Sequence, residues 1–280
     1  MRGTSMAFLT EPEPVRETVI PVAAGIARIV AANPGAMTYH GTNTWLIEGA
    51  DGMSVLDPGP DDPRHVAAIL QASGGRVARI LLSHHHRDHA GALAALRAAT
   101  GAPACAQTAT LVPDLSPDIG LEDGNTVGEF TVLHTPGHAA DHLCFARADG
   151  VIFTGDHVMS WSTSVISPPA GDMAAYFASL RRLLARQDRL LLPGHGPPLA
   201  SPRGYLEALL AHRQGREAAV LAAIAATPQT PAALVGAIYG SIDPRVRGAA
   251  ERTVLAHLLK LAAEGRAAER DGAWAARHDP

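Results

Sequence analysis

Cysteine is almost missing from this chain: Cys105 and Cys144 are the only two among 280 residues. Two thiols outside a C-x-x-C spacing cannot staple a chain of this length, so a disulfide-framed scaffold is excluded. Long apolar runs are missing as well. The stretch 19–32 is interrupted by Arg28 and preceded by Glu11, Glu13 and Glu17, which does not suit a secretory signal. No uncharged segment approaches the roughly 20 residues needed to cross a bilayer, so a cytoplasmic protein without a membrane partner is expected. Aromatic residues make up 4% and the net charge is −4, which leaves few platforms for stacking bases and no overall pull on a polyanion. Lysine is reduced to Lys260.

Histidine, by contrast, is abundant, at 14 residues. With 47% hydrophobic and 18% charged residues the chain reads as a packed globule, one large domain with an appendage. Apolar runs bounded by turn residues predict strands over 26–31, 44–47 and 53–56, then a helix over 63–72, a strand over 77–82, a helix over 90–99 and a strand over 103–106. A second series follows: strands over 130–134, 143–146 and 151–154, a helix over 173–186 and a strand over 190–192. The two halves echo one another and imply two sheets face to face with helices outside, a four-layer αββα sandwich of the α/β class. After Pro202 the composition turns Ala/Leu-rich, with helices over 205–226, 232–239 and 244–264. A small hairpin then turns at Arg270-Asp271-Gly272, completing a winged-helix pattern. The expected organisation is an N-terminal extension over 1–19, a catalytic sandwich over 20–202 and a winged-helix-like domain over 203–280. The tail carries ten basic and eight acidic residues, against thirteen and nineteen before it.

The sharpest feature is Ser83-His84-His85-His86-Arg87-Asp88-His89, which contains H-x-H-x-D-H between an apolar strand and a helix. Neutral imidazoles and carboxylates are zinc ligands. In an extended segment His84 and His86 point to one side, and the tight entry into the helix turns Asp88 and His89 toward a neighbouring point, so one motif can serve two metals. Three more sites sit at strand ends beside glycine: Pro136-Gly137-His138, Thr154-Gly155-Asp156 and Pro193-Gly194-His195-Gly196. Ligand sites of α/β proteins collect at such ends. Two cations a few ångströms apart repel, and Asp156 is the remaining carboxylate best placed to bridge them.

Taken in order, these motifs closely resemble the five-motif pattern of the metallo-β-lactamase superfamily, across most of residues 20–200. The resemblance implies an αββα fold with His84, His86 and His138 on one zinc, Asp88, His89 and His195 on the other, and Asp156 between them. Asn33-Pro34-Gly35, Gly41-Thr42-Asn43-Thr44 and Ala211-His212-Arg213-x-x-Arg216-Glu217, with the winged-helix tail, resemble its lactamase-beta-2-like branch.

Two Zn²⁺ ions per chain, with iron or manganese fitting the same ligand set, would supply a bridging hydroxide at neutral pH, oriented by Asp88 as the catalytic carboxylate. The expected reaction is hydrolysis of an ester, thioester or lactone of a small metabolite. The alternative is an endoribonuclease or phosphodiesterase acting on single-stranded RNA guided by the tail. Asp141 and His142 are candidates to hydrogen-bond a ligand imidazole or to make a local contact at the strand start. Tyr39 and His40 are candidates to cover a substrate. His85 is expected to point away from its neighbours, and His212, Arg213, Arg216 and Glu217 to make salt bridges between the domains.

Overall fold

Trp45 and Ile47 face one way along their strand and Leu46 the other, yet all three are buried. A strand buried on both faces belongs to a sheet covered on both sides. The computed structural model, which describes residues 6–110 and 116–277, contains two such sheets. The first has seven strands in chain order: β1 (Val19–Ala23), β2 (Ile26–Val30), β3 (Asn43–Gly49), β4 (Gly52–Leu56), β5 (Val77–Leu81), β6 (Ala104–Gln107) and β7 (Ile119–Leu121). β1 to β4 run antiparallel, and β4 to β7 run parallel. Helices α1 (Pro63–Ser73), α2 (Arg87–Ala90) and α3 (Leu93–Thr100) lie between these strands in the chain.

The second sheet has six strands: β8 (Thr126–Val127), β9 (Phe130–His134), β10 (Leu143–Arg147), β11 (Val151–Gly155), β12 (Leu190–Pro193) and β13 (Leu199–Ala200), with α4 (Met173–Leu184) between β11 and β12. Trp45, Ile47, Leu56 and Leu81 of the first sheet pack against Phe130, Phe145, Phe153 and Leu192 of the second. The alternate residues turn outward. Leu46, Val55 and Ile80 meet Ile69 of α1 and Leu93 and Leu96 of α3, while Cys144, Ile152 and Leu191 meet Tyr176, Phe177 and Leu180 of α4. The period-2 alternation thus builds the four layers.

Three further helices, α5 (Arg203–Ala226), α6 (Pro231–Tyr239) and α7 (Pro244–Ala263), precede the hairpin β14 (Ala267–Arg270) and β15 (Ala273–Ala276). Val220, Ile224, Leu234, Val235, Val254, Leu258 and Trp274 form their own apolar cluster. The first half of α5 belongs elsewhere, since Leu206 and Leu209, with Ala256 of α7, pack into the cluster around α4. The C-terminal helices are therefore fastened to the sandwich by a shared core.

The fold differs from the sequence-based expectation at its margins. β1 is an additional edge strand containing Pro21, which an edge tolerates because its missing N–H removes no ladder bond. The short strands β7, β8 and β13 carry too few residues for a periodicity to register. The helix expected over 90–99 is found as α3, Leu93–Thr100, and the separate turn α2 precedes it; at Gly91 between them a Cβ would lie 2.4 Å from the Arg87 carbonyl oxygen and 2.7 Å from the Asp61 amide. Of the N-terminal extension, the described part runs along the sandwich, with Glu11 paired to Arg28 at 2.5 Å and Glu17 to His65 at 2.5 Å.

Among the C-terminal helices, Glu217 of α5 takes Lys260 of α7 at 2.7 Å and His257 Nδ1 at 3.3 Å. Burial would raise the Glu217 carboxyl, but the hydrogen bonds from His257 and Lys260 outweigh it and hold the group below its ordinary value of 4.5. A carboxylate depressed in the folded state contributes stability that is complete above 4.5 and lost as pH falls through the folded-state value. Thermal melts across the acid range should therefore show a shallower loss of stability for Glu217→Gln than for the native protein. Parallel curves would contradict this coupling.

Candidate metal centre

Chain geometry at the strand ends brings the motif residues to one edge shared by both sheets. β5 runs out into Ser83 and His84, β9 into the turn before His138, β11 into Asp156, and β12 into Gly194 and His195. The sheets are stitched together here: the Asn43 amide donates to the Gly194 carbonyl at 2.7 Å, and the Leu143 amide to the Ser83 carbonyl at 2.7 Å. Gly194 leaves no space for a side chain, because a Cβ there would lie 2.6 Å from His89 Cε1 and 2.7 Å from Asp156 Oδ1. Gly137, at φ +144°, would place a Cβ 2.4 Å from Tyr176 Cα. Glycine at both positions lets backbone approach where a side chain would intrude.

Two clusters of ligand atoms result. In the first, His86 Nδ1 lies 2.9 Å from His84 Nε2 and 3.0 Å from His138 Nε2. In the second, His195 Nε2 lies 3.3 Å from His89 Nε2 and 3.2 Å from Asp88 Oδ2. Asp156 stands between them, with Oδ2 3.7 Å from His138 Nε2, and Oδ1 3.4 Å from His89 Nε2 and 3.5 Å from His195 Nε2. His84, His86, Asp88, His89, His138, Asp156 and His195 are therefore all gathered into one site, with the two carboxylate oxygens of Asp156 directed to different clusters.

The outward nitrogens settle which way the inner lone pairs point. His138 Nδ1 is 2.7 Å from the Val165 carbonyl and His195 Nδ1 is 3.3 Å from the Gly41 carbonyl; a carbonyl only accepts, so both rings carry their proton on Nδ1. His89 Nδ1 donates to Asp57 Oδ2 at 2.9 Å. Ser83 Oγ donates to the same carboxylate oxygen at 2.7 Å and accepts from His84 Nδ1 at 2.9 Å. In their neutral forms the four Nε2 atoms therefore present lone pairs to one another. Asp156 Oδ1 is buried and has no hydrogen-bond partner.

Charge tells the same story. Burial, with the neighbouring imidazoles adding, depresses His84 well below its usual range and takes His86 to about 4, so both are neutral ligands. Burial also depresses His138, against the pull of Asp156. In the second cluster burial is overridden. Asp156, Asp88 and Asp57 raise His89, while Asp156 and Asp88 raise His195 to about 9. Asp88 and Asp156 stay ionised despite burial because these two imidazoles face them. The carboxylates thus demand positive charge at the place where the lone pairs converge. A divalent metal ion satisfies both demands, and the donor set fits one.

Asp57 stands in Asp57-Pro58-Gly59, a sequence of ordinary turn residues, yet it orients one imidazole of each cluster. It is 1% exposed and sits at φ +54°, and besides His89 and the Ser83 hydroxyl it accepts the Ser83 amide at 2.7 Å. No local pattern distinguishes such a residue from an ordinary turn aspartate, because its partners come from the β5 end and α2. The remaining predicted residues fall nearby. His142 Nδ1 donates to Thr135 Oγ1 at 2.9 Å while its Nε2 accepts the Asp156 amide at 3.2 Å, so it holds the Asp156 backbone rather than a ligand ring. Asp141 pairs with His85 at 2.8 Å, which turns His85 away from the clusters. Tyr39 and His40 do not line the cleft; Tyr39 stacks on Trp161 at 4.9 Å and His40 Nε2 lies 3.2 Å from the Glu11 carbonyl. Met37, from the same loop, does line it.

Asp57→Asn leaves one acceptor oxygen where two are used, so either the Ser83 amide or the His89 and Ser83 hydroxyl donors meet an NH₂ group instead. Metal affinity should fall about 10- to 100-fold, as for other partners of ligand imidazoles, in a chelator competition assay; an unchanged affinity would contradict the assignment.

Residues 37–195 match the family described as the metallo-beta-lactamase superfamily, and residues 230–274 match the beta-lactamase associated winged helix domain. The chain is 31% identical to the Beta-lactamase-like protein 2 homolog of Drosophila melanogaster over 89% of its length and 91% of the relative's. It is also 31% identical to the Atrochrysone carboxyl ACP thioesterase of Passalora fulva, over 94% of this chain and 82% of that one. Among solved structures, a beta-lactamase domain protein from Burkholderia ambifaria superposes with a TM-score of 0.82 at 23% identity, covering 94% of this chain and 95% of that chain. The paired sheets, the His/Asp clusters at their shared edge and the sequence matches lead to one assignment: the chain belongs to the metallo-β-lactamase superfamily of hydrolases and carries a β-lactamase-associated winged helix domain.

Proposed function

We propose that the protein is a dinuclear zinc hydrolase that cleaves an ester, thioester or lactone of a small, largely apolar acyl group. The observation that carries this reading is the cleft above the metal centre. It has a volume of about 440 Å³, opens onto His86, Asp88, His138 and Asp156, and is walled by Met37, Met159, Val165, Ile242, Val246 and Ala249. Ile242, Val246 and Ala249 come from the C-terminal region, so the winged helix domain closes the cleft over the sandwich. The thioesterase name of one relative, matched over 94% of this chain and 82% of its own, supports the same substrate class.

A single strand of RNA presents a negative charge at every nucleotide and is held by basic tracks and stacked aromatics. The cleft lining includes Arg213 as its one basic side chain besides histidine, where a polyanion is held by a track of them. This composition supports an acyl group over a polyanion.

His84, His86 and His138 with Asp156 Oδ2 would hold one zinc, and Asp88, His89 and His195 with Asp156 Oδ1 the other. A bound pair supplies a water of lowered pKa and a Lewis acid for a carbonyl oxygen. Asp57 and the Val165 and Gly41 carbonyls keep the ligand rings oriented without rearrangement during turnover. Asp88 is the ligand carboxylate most open to the cleft, at 31% side-chain exposure against 9% for Asp156. Held ionised by His89 and His195 against the effect of burial, it would accept a hydrogen bond from the attacking water and so aim it at the acyl carbon. The apolar wall positions the acyl chain and excludes competing water. The nitrogen-rich donor set supports zinc, and iron or manganese would fit the same atoms.

Metal analysis of protein purified without a histidine tag, joined to a turnover panel of acyl thioesters, esters, lactones and single-stranded RNA, tests the reading. Two zinc ions per chain and thioester turnover indifferent to salt are expected. His86→Ala and Asp88→Ala should lose metal and turnover together, by about 100-fold or more in rate. RNA cleavage that falls steeply with salt, with no acyl substrate turned over, would replace the proposal by the nuclease alternative. Point substitutions are the appropriate probe of the C-terminal helices, since removing residues from 203 onward would also strip Leu206 and Leu209 from the sandwich core.

A further inference from the structure

Arg213 was expected to tie the domains together through salt bridges, and its surroundings do not bear that out. Among the described residues no carboxylate pairs with its guanidinium. Glu217, one helical turn further along α5, is taken by Lys260 and His257. Arg213 Nη2 donates to the Ser164 carbonyl, its guanidinium carbon lies 5.2 Å from the centre of the Tyr176 ring, and its Nε is buried without any acceptor. An arginine has five N–H donors and a permanent charge, and burying such a charge without a counter-ion is costly. One carbonyl and one aromatic face leave both the charge and most of the donors unanswered. The side chain nevertheless lines the cleft that contains His86, Asp88, His138 and Asp156.

We propose that Arg213 is the anion receptor of the cleft, pairing with a carboxylate carried by the acyl part of the substrate at the end remote from the bond that is cut. The identity of the substrate rests on the acyl-hydrolase reading above; the binding event does not. The planar guanidinium fork matches a carboxylate, and the surrounding low dielectric strengthens the pair. Val165, Tyr239, Ile242 and Val246 line the same cleft and suit an apolar body bearing that charge. The preferred substrate class is therefore an acyl thioester or ester with one free carboxylate on its acyl group. The loop from Asp156 to Asp172 couples the two ends of the cleft. Its Ser164 carbonyl anchors Arg213, and the next carbonyl, Val165, orients the ligand His138.

Calorimetric titration of the metal-loaded protein with short linear dicarboxylates and with monocarboxylates of matching length tests the assignment. Every ligand offers one carboxylate to the metals, and only the dicarboxylates offer a second to Arg213. At the best-fitting length the native protein should bind the dicarboxylate at least about tenfold more tightly, the factor one charge-assisted hydrogen bond provides. Arg213→Met should bring the ratio toward one, and Arg213→Lys, which keeps the charge without the fork, should give an intermediate ratio. Metal content and melting temperature would be recorded for each variant. No preference in the native protein overturns the proposal even if neither variant folds, and so does a preference that survives Arg213→Met. Absence of thioester or ester turnover alongside an Arg213-dependent preference would discard the acyl-hydrolase reading and leave the anion receptor standing.

Discussion

Seven imidazole and carboxylate side chains converge in overlapping groups whose ligand atoms lie within 4.8 Å of one another, and among the described residues no lysine or arginine pairs with them, so that only protons drawn onto His89 and His195 offset the carboxylates. Lone pairs brought together in a buried place repel unless a cation sits among them, so the sandwich edge is built around a demand for metal. Much else follows from the need to sustain that convergence. Asp57 must be buried at a left-handed backbone position to hold His89 and, through Ser83, His84. Gly194 must lack a side chain for the β12 end to pass close to His89 and Asp156.

The two-sheet architecture makes the convergence affordable. Each ligand follows a strand whose alternate residues are locked into the inner or an outer apolar layer, so packing holds the strand ends in place. Between-sheet hydrogen bonds at Asn43–Gly194 and Ser83–Leu143 then hold the ends in mutual register. The C-terminal helices complete the cleft from above. α5 contributes Leu206 and Leu209, and α7 contributes Ala256, to the α4 cluster, which anchors the helices that carry the wall to the sandwich.

The extent to which this could be read in advance varies with the range of the interaction. The H-x-H-x-D-H run was legible because its spacing alone places four donors within two turns of chain. His138, Asp156 and His195 were legible because each stands by glycine after an apolar strand. Asp57 was hidden because the groups it serves lie on other elements, and a turn aspartate is common without any such role. Arg213 departs from its expected role for a related reason: helical spacing places charged neighbours on α5, but Glu217 turns to Lys260 and His257 on α7 and leaves the guanidinium lining the cleft. His142 was recognised as close to the site, and only its contacts showed that it serves the Asp156 backbone.

By itself the sequence determined the layer pattern and the ligand set, since strand alternation, glycine punctuation and the histidine-aspartate spacing are local properties of the chain. Tertiary structure decided which nitrogen of each imidazole faces inward, because that depends on carbonyl and carboxylate acceptors supplied by distant segments. It also decided the character of the cleft. The apolar wall from the α6–α7 region and the buried, uncompensated Arg213 meet the metal centre only after three separate regions of the chain pack together, and no local periodicity records which side chains that packing leaves facing one another.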